Sequence, residues 1–194
     1  MRPNKPVTVQ HDSSRRTFVA AAGAVAAGAL AAGAAGCTDT SVMDRRLEFR
    51  SMDDALRELD RLTQAASLKS SAVWTWPQTL THCAQSIEYS MTGFPKGNSA
   101  LFQRTVGAAA FSVFSWRGRM SHDLAEPIPG APPLEAGIDA AAAAARLRRA
   151  VQDFRDSTEP LRPHFAYGEL TKAEYEKAHA MHLANHLSAF DAGA

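Results

Sequence analysis

Apolar side chains recur along most of this chain at helical intervals. Leu56, Leu59 and Leu62 mark a buried stripe on a helix that starts at Ser51, whose hydroxyl suits an N-cap ahead of the acids Asp53 and Asp54, and that runs to about Ala66. Ser67–Thr75 is a short connection. Pro77 fits the first turn of a second helix reaching about Met91, and Gly93-Phe-Pro-Lys-Gly97 breaks it. On that helix Trp76, Leu80, Cys83, Ile87 and Met91 form one apolar face, and His82, Gln85, Ser86 and Tyr89 form the opposite one, as expected for packing on one side and a lined pocket on the other. A third, more uniformly apolar helix spans about Ser99–Trp116, which points to burial or to a flat docking surface along Phe111, Val113, Phe114 and Trp116. Gly118–Gly137, with Pro127, Pro129, Pro132 and Pro133, reads as a long irregular loop, a kind of segment that often carries function. An Ala- and Arg-rich helix follows over residues 138–156, then a loop from Pro160 to Gly168 carrying His164 and Tyr167. Thr171-Lys-Ala-Glu174 is a capping box that opens the last helix. Strong helical periods joined by loops, with no internal repeat, predict an all-α domain built as a helical bundle.

Composition adds bounds. A chain of 194 residues suffices for one domain with its own core. The formal charge is +1, unevenly spread: residues 1–36 carry Arg2, Lys5, Arg15 and Arg16 against Asp12, and the remainder holds 17 basic and 19 acidic side chains. No basic stripe argues for nucleic acid. No glycine loop of the phosphate-cradling kind appears, nor a Ser-His-Asp or Cys-His arrangement.

The first 36 residues read as an address rather than as part of the fold. Ser14-Arg15-Arg16-Thr17-Phe18-Val19 resembles the twin-arginine export signal, and the Ala- and Gly-rich stretch Val19–Ala35 behind it is too weakly apolar to span a membrane. The resemblance implies export in the folded state to the periplasm or cell envelope. Cys37, after Ala34-Ala35-Gly36, resembles a lipoprotein processing site; the alternative is ordinary cleavage at the same small residues and an unanchored product. Any membrane attachment is expected only through a lipid on Cys37. Residues 37–50 read as a linker, and residues 51–194 as the helical domain. With Cys83 the only internal cysteine, on the apolar face of its helix, no intramolecular disulfide framework is expected, and Cys83 reads as a small core residue.

The candidate chemistry lies in histidines. On the last helix Tyr175, His179, His182, His186 and Phe190 fall within roughly 80° of one another. His182 and His186 have the i, i+4 spacing with which two imidazoles on adjacent turns meet one metal ion. A third ligand must come from elsewhere: His82 on the second helix, or His122 or His164 in loops, which hold a side chain less firmly. His179 is placed to be a supporting donor, a substrate contact or an ordinary polar face residue.

Three stretches carry a family resemblance: Trp76-Pro-Gln-Thr-Leu-Thr-His82-Cys-Ala-Gln-Ser-Ile-Glu-Tyr89-Ser-Met-Thr-Gly-Phe-Pro95, Pro163-His164-Phe-Ala-Tyr167-Gly-Glu-Leu170, and His182-Leu-Ala-Asn-His186-Leu-Ser-Ala-Phe190. Together they resemble a bacterial family known as domain of unknown function 1569, over about Asp53 to Phe190. That family is similar to the DinB and YfiT-like metalloenzyme superfamily, which implies a four-helix bundle, here with one extra helix and a long loop insertion. It also implies a metal held by one histidine on the second helix and two on the last, which are His82, His182 and His186 here. Asn185 and Ala189 depart from the family's usual His and Gln. Three imidazoles leave a coordination position for water or substrate, the arrangement of a catalytic site. Zinc is the first expectation, with nickel or iron as alternatives. The resemblance implies a metal-dependent hydrolase or a thiol-dependent transferase acting on an unknown small molecule, a thiol among the candidates. Glu88, Tyr89 and Tyr167 are the nearest proton-transfer candidates, each with a plain structural reading: Glu88 as a solvated charge, the tyrosines as core residues. The competing readings are a non-catalytic cell-envelope binding or structural bundle, and a decayed site whose histidines pack among themselves. A homodimer suits bundles of this kind.

Overall fold

The computed structural model describes residues 43–193, so the twin-arginine-like segment and Cys37 lie outside the described residues. Helix α1 (Met52–Thr63) begins where Ser51 and Asp54 cap each other's backbone N–H groups. Its periodic apolar positions Met52, Ala55, Leu59 and Leu62 are all buried, worth about 1.5–3 kcal/mol for each large side chain. Helix α2 (Trp76–Thr92) follows a second capping box, Thr75 with Gln78, with Pro77 in its first turn, and stops at Gly93, whose φ of 109° suits a residue without Cβ. A continuous helical segment then runs as α3 (Ala100–Phe102), a π-turn over Gln103–Gly107, and α4 (Ala108–Arg117). After the irregular stretch 118–139 come α5 (Ala140–Asp156), capped by Asp139, and α6 (Lys172–Leu187), capped by the Thr171–Glu174 box.

The described residues are thus mostly helical, with five helical segments. Helix α2 packs most extensively against α5, and α1 lies against α6 and α5. Ala143, Ala144 and Ala150 on α5 are buried, and such small side chains let helix axes approach closely. Leu147, Val151 and Phe154 complete the α5 stripe and join Leu80, Cys83 and Ile87 of α2 in the main core.

Two features differ from the expected pattern. Residues 67–75 contain a strand, β1 (Leu68–Ser70), which pairs antiparallel with β2 (Phe190–Ala192), Ser70 opposite Phe190. Helix α6 therefore ends before Phe190, which leaves the predicted helical face and packs edge-on against Trp76. A three-residue strand whose partner lies over 100 positions away leaves no local periodicity to read. Residues 43–50 also lie along the domain rather than standing off as a linker: Arg45 and Leu47 bond to Ser188, Arg45 pairs with Glu58, and Phe49 is buried.

Among the described residues no helix is long and apolar enough to cross a membrane. The expected apolar surface of the third helix is split: Phe111 is buried and Phe114 partly so, while Val113 and Trp116 are exposed together with Leu101 and Val106.

Candidate metal centre

Helices α2 and α6 cross so that His82 meets His182 and His186. The Nε2 atoms of His82 and His182 stand 3.2 Å apart, and one ligand nitrogen from each of the three rings falls within 4.8 Å of the others. Two nitrogens on one tetrahedral ion with bonds of 2.0–2.1 Å stand about 3.3 Å apart. Of the three third-ligand candidates, His82 joins this tight group. His122 borders it, and His164 does not reach it.

Burial shapes the electrostatics. Desolvation, then the charge of His122, lowers the His82 imidazole to about 4. Desolvation and the neighbouring imidazoles hold His182 and His186 well below the usual histidine value. All three are therefore neutral at pH 7, the form that donates a lone pair to a metal. His186 Nε2 is buried with no hydrogen-bond partner among the described residues. A nitrogen withdrawn from water without a partner is costly unless something binds it. Three neutral imidazoles converging around an orphaned nitrogen fit a divalent ion.

Trp74, in the connection before α2, covers the group from one side: its ring lies 4.8 Å from His82 and stacks at 6.1 Å on His186. Beside the group opens a cavity of about 110 Å³ that Trp74 does not line. His82 and His182 form part of its wall with Ser86, His164, Tyr167 and His179, and the loop residues Met120, His122, Glu126 and Ile128 close it. Among the described residues no Lys or Arg lines it.

The other histidines are built differently. His164 Nδ1 accepts two backbone N–H groups, from Ala166 and Tyr167, so a neutral ring carries its proton on Nε2. Its ring stacks on Tyr167 at 4.3 Å, and desolvation lowers its pKa to about 3. His179 is buried between Phe154 and Tyr175, with Nε2 3.2 Å from Ser90 Oγ. Ser90 donates to the Ile87 carbonyl, so its oxygen accepts from His179.

The loop bearing His164 is held by the helical segment beside it. Gln103 Nε2 donates to the carbonyls of His164 and Phe165. Gly107 lies so close that a Cβ there would stand 1.9 Å from the Ala166 carbonyl oxygen.

Of the three proton-transfer candidates, Tyr167 lines the cavity, its hydroxyl pushed up to about 12 by burial. Tyr89 packs on Phe94 away from it. Glu88 is not a free solvated charge: Arg146 of α5 grips it through two hydrogen bonds of 2.8 and 2.6 Å. Sequence reasoning missed Trp74 and Glu126, since neither belongs to a spacing pattern.

Mostly helical architecture and a three-histidine group, two of whose rings line a cavity, define a helical protein with a candidate metal centre. The chain belongs to the family described as Protein of unknown function (DUF1569), whose pattern matches residues 42–192. No curated protein and no solved structure matches the chain.

Proposed function

We propose that this protein is an exported metal-binding protein of the DinB-like type, with His82, His182 and His186 holding a divalent ion, zinc in the first place and nickel or iron as alternatives. The observation that carries the reading is the orphaned His186 Nε2 beside the close His82–His182 pair. A hydrogen bond between two imidazoles accounts for the pair alone, and a decayed site of packed histidines leaves His186 Nε2 without a partner. The packing of α1, α2, α5 and α6 around one core supports the bundle assignment. The segment before residue 43 supports export through its twin-arginine pattern.

A divalent ion at this position supplies Lewis acidity toward a water or a thiol. The chain's own contribution is binding and orientation. His82 and His182 set the metal at the cavity wall, His164 presents a neutral N–H donor, and the apolar loop residues exclude water. A wall without Lys or Arg suits a neutral or weakly charged small molecule better than a phosphate ester. The reaction classes are therefore metal-dependent hydrolysis and thiol transfer. Their test is a panel of neutral esters and amides, and of electrophiles offered with a low-molecular-weight thiol, assayed with the zinc-loaded protein and with His82→Ala. Metal-dependent turnover that disappears in the variant is expected; metal-loaded protein inert to both panels contradicts catalysis.

The second reading, a non-catalytic cell-envelope binding module, is favoured by the exposed Leu101, Val106, Val113 and Trp116 on the α3–α4 segment. It predicts metal uptake without turnover.

A further inference from the structure

A fourth imidazole reaches the centre from the long loop. His122 lies in the irregular stretch between α4 and α5, yet it is firmly placed. Met120 and Ile128 on either side are buried, and Asn185 of α6, between the two α6 ligands, reaches the His122 carbonyl in a long 3.5 Å bond. The His122 ring stacks on His182 with centroids 5.2 Å apart and meets His186 edge-on at 5.0 Å. The three ligand rings stand 4.6 to 5.1 Å from one another. Imidazoles bound to one tetrahedral ion with metal–nitrogen bonds of about 2 Å have centroids about 5.2 Å apart. The His122 ring therefore stands about as far from both histidines of α6 as the three rings stand from one another, at the border of the converging group.

Its hydrogen bonding agrees. Nδ1 lies 2.9 Å from the Asp123 carbonyl oxygen, which can only accept, so in the neutral ring Nδ1 carries the proton and Nε2 the lone pair. Nε2 is buried and has no partner among the described residues. A ring N–H given to a backbone carbonyl, with the opposite nitrogen free, is the usual state of a metal-ligating histidine.

We infer that His122 is a fourth ligand of the metal centre, closing through Nε2 onto the position that three histidines leave open. The inference rests on the three-histidine reading. It makes the resting centre a four-imidazole site on whose loop-borne ligand substrate access depends: a small thiol or carbonyl compound entering the cavity displaces His122, while the three helix-borne ligands stay.

Cobalt(II) titration followed by visible absorption tests this, on the purified protein and its His122→Ala, His122→Asn and His82→Ala variants, with circular dichroism to verify folding. The wild type is expected to take up one cobalt with the intense bands of a four-coordinate nitrogen site. Both His122 variants should still bind one cobalt, about 10–100-fold more weakly, with weaker bands that free imidazole restores. Azide should perturb their spectra at lower concentration than it does the wild type. Spectra and azide response unchanged in both His122 variants overturn the inference and leave the three-histidine centre standing. A wild type that takes up no cobalt overturns the centre and the inference together.

Discussion

Two groups of imidazoles lie at or beside one cavity and differ in what they bond to. His164 and His179 have protein partners: two backbone N–H groups for one, the Ser90 hydroxyl for the other. His82, His182, His186 and His122 face one another, with orphaned nitrogens on His186 and His122. Both groups are held neutral by burial where a shift is resolved, so neutrality does not separate them. Partner count does. A satisfied buried imidazole is part of the packing; a convergent, unsatisfied set is arranged for something that arrives from outside.

The sharpest break of this comparison is truncation on each side of it. His182→Ala should lower zinc affinity more than about 100-fold by isothermal titration and remove the rise in melting temperature that added zinc gives the wild type. His179→Ala should do the reverse: a loss of about 2–4 kcal/mol in urea unfolding, from the cavity and the lost bond to Ser90, with zinc affinity changed less than about tenfold. Equal effects of both variants on zinc binding would dissolve the distinction.

Acid should act in metal-free protein through every ring whose pKa burial lowers, His82, His182 and His186 as well as His164 and His179, and the last two show the arithmetic. The folded-state pKa values of His164 and His179 are about 3, below the unfolded value near 6.5. Above pH 6.5 both states hold these rings neutral, and stability is full. As pH falls toward 3 only the unfolded chain gains protons, so each ring costs about 1.4 kcal/mol per pH unit. Denaturant midpoints should therefore fall steadily below pH 6.5; a flat profile between pH 6.5 and 4 would contradict the burial of these two rings.

Gly107→Ala should cost about 1–3 kcal/mol, because its Cβ meets the Ala166 carbonyl oxygen and the His164 loop must shift. Thermal melts measure the loss, and the nitrogen chemical shifts of His164 should move while zinc affinity holds. The smallest effect belongs to Glu88→Gln. Its pair with Arg146 is about one-third exposed on each side, so the loss should stay under about 1 kcal/mol, with zinc binding untouched.

Much of this organisation was legible in sequence because it is local. Capping at Ser51 and Thr171, Pro77 in the first turn of α2, the buried Leu59 and Leu62 with Leu56 half-buried beside them, and the i, i+4 pair His182–His186 all depend on neighbours within a turn or two. His82 was favoured locally only by lying on a helix rather than in a loop like His122 and His164, and it entered the ligand set through family resemblance. The β1–β2 pairing, the position of Trp74, the grip of Arg146 on Glu88 and the approach of the His122 loop depend on contacts between segments dozens of residues apart. The π-turn at Gln103–Gly107 escaped for a related reason: it brings Gly107 against a loop some 60 residues further on, which apolar periodicity does not encode.

Metal content of the purified protein, beside His82→Ala and His182→Ala, is the most direct test of the centre. About one divalent ion per chain, or one taken up on adding zinc or nickel, and none in either variant, is the expected result. No metal in the wild type, with none acquired from zinc or nickel, would contradict the central claim and leave a helical domain whose unsatisfied histidines have no ligand to explain them.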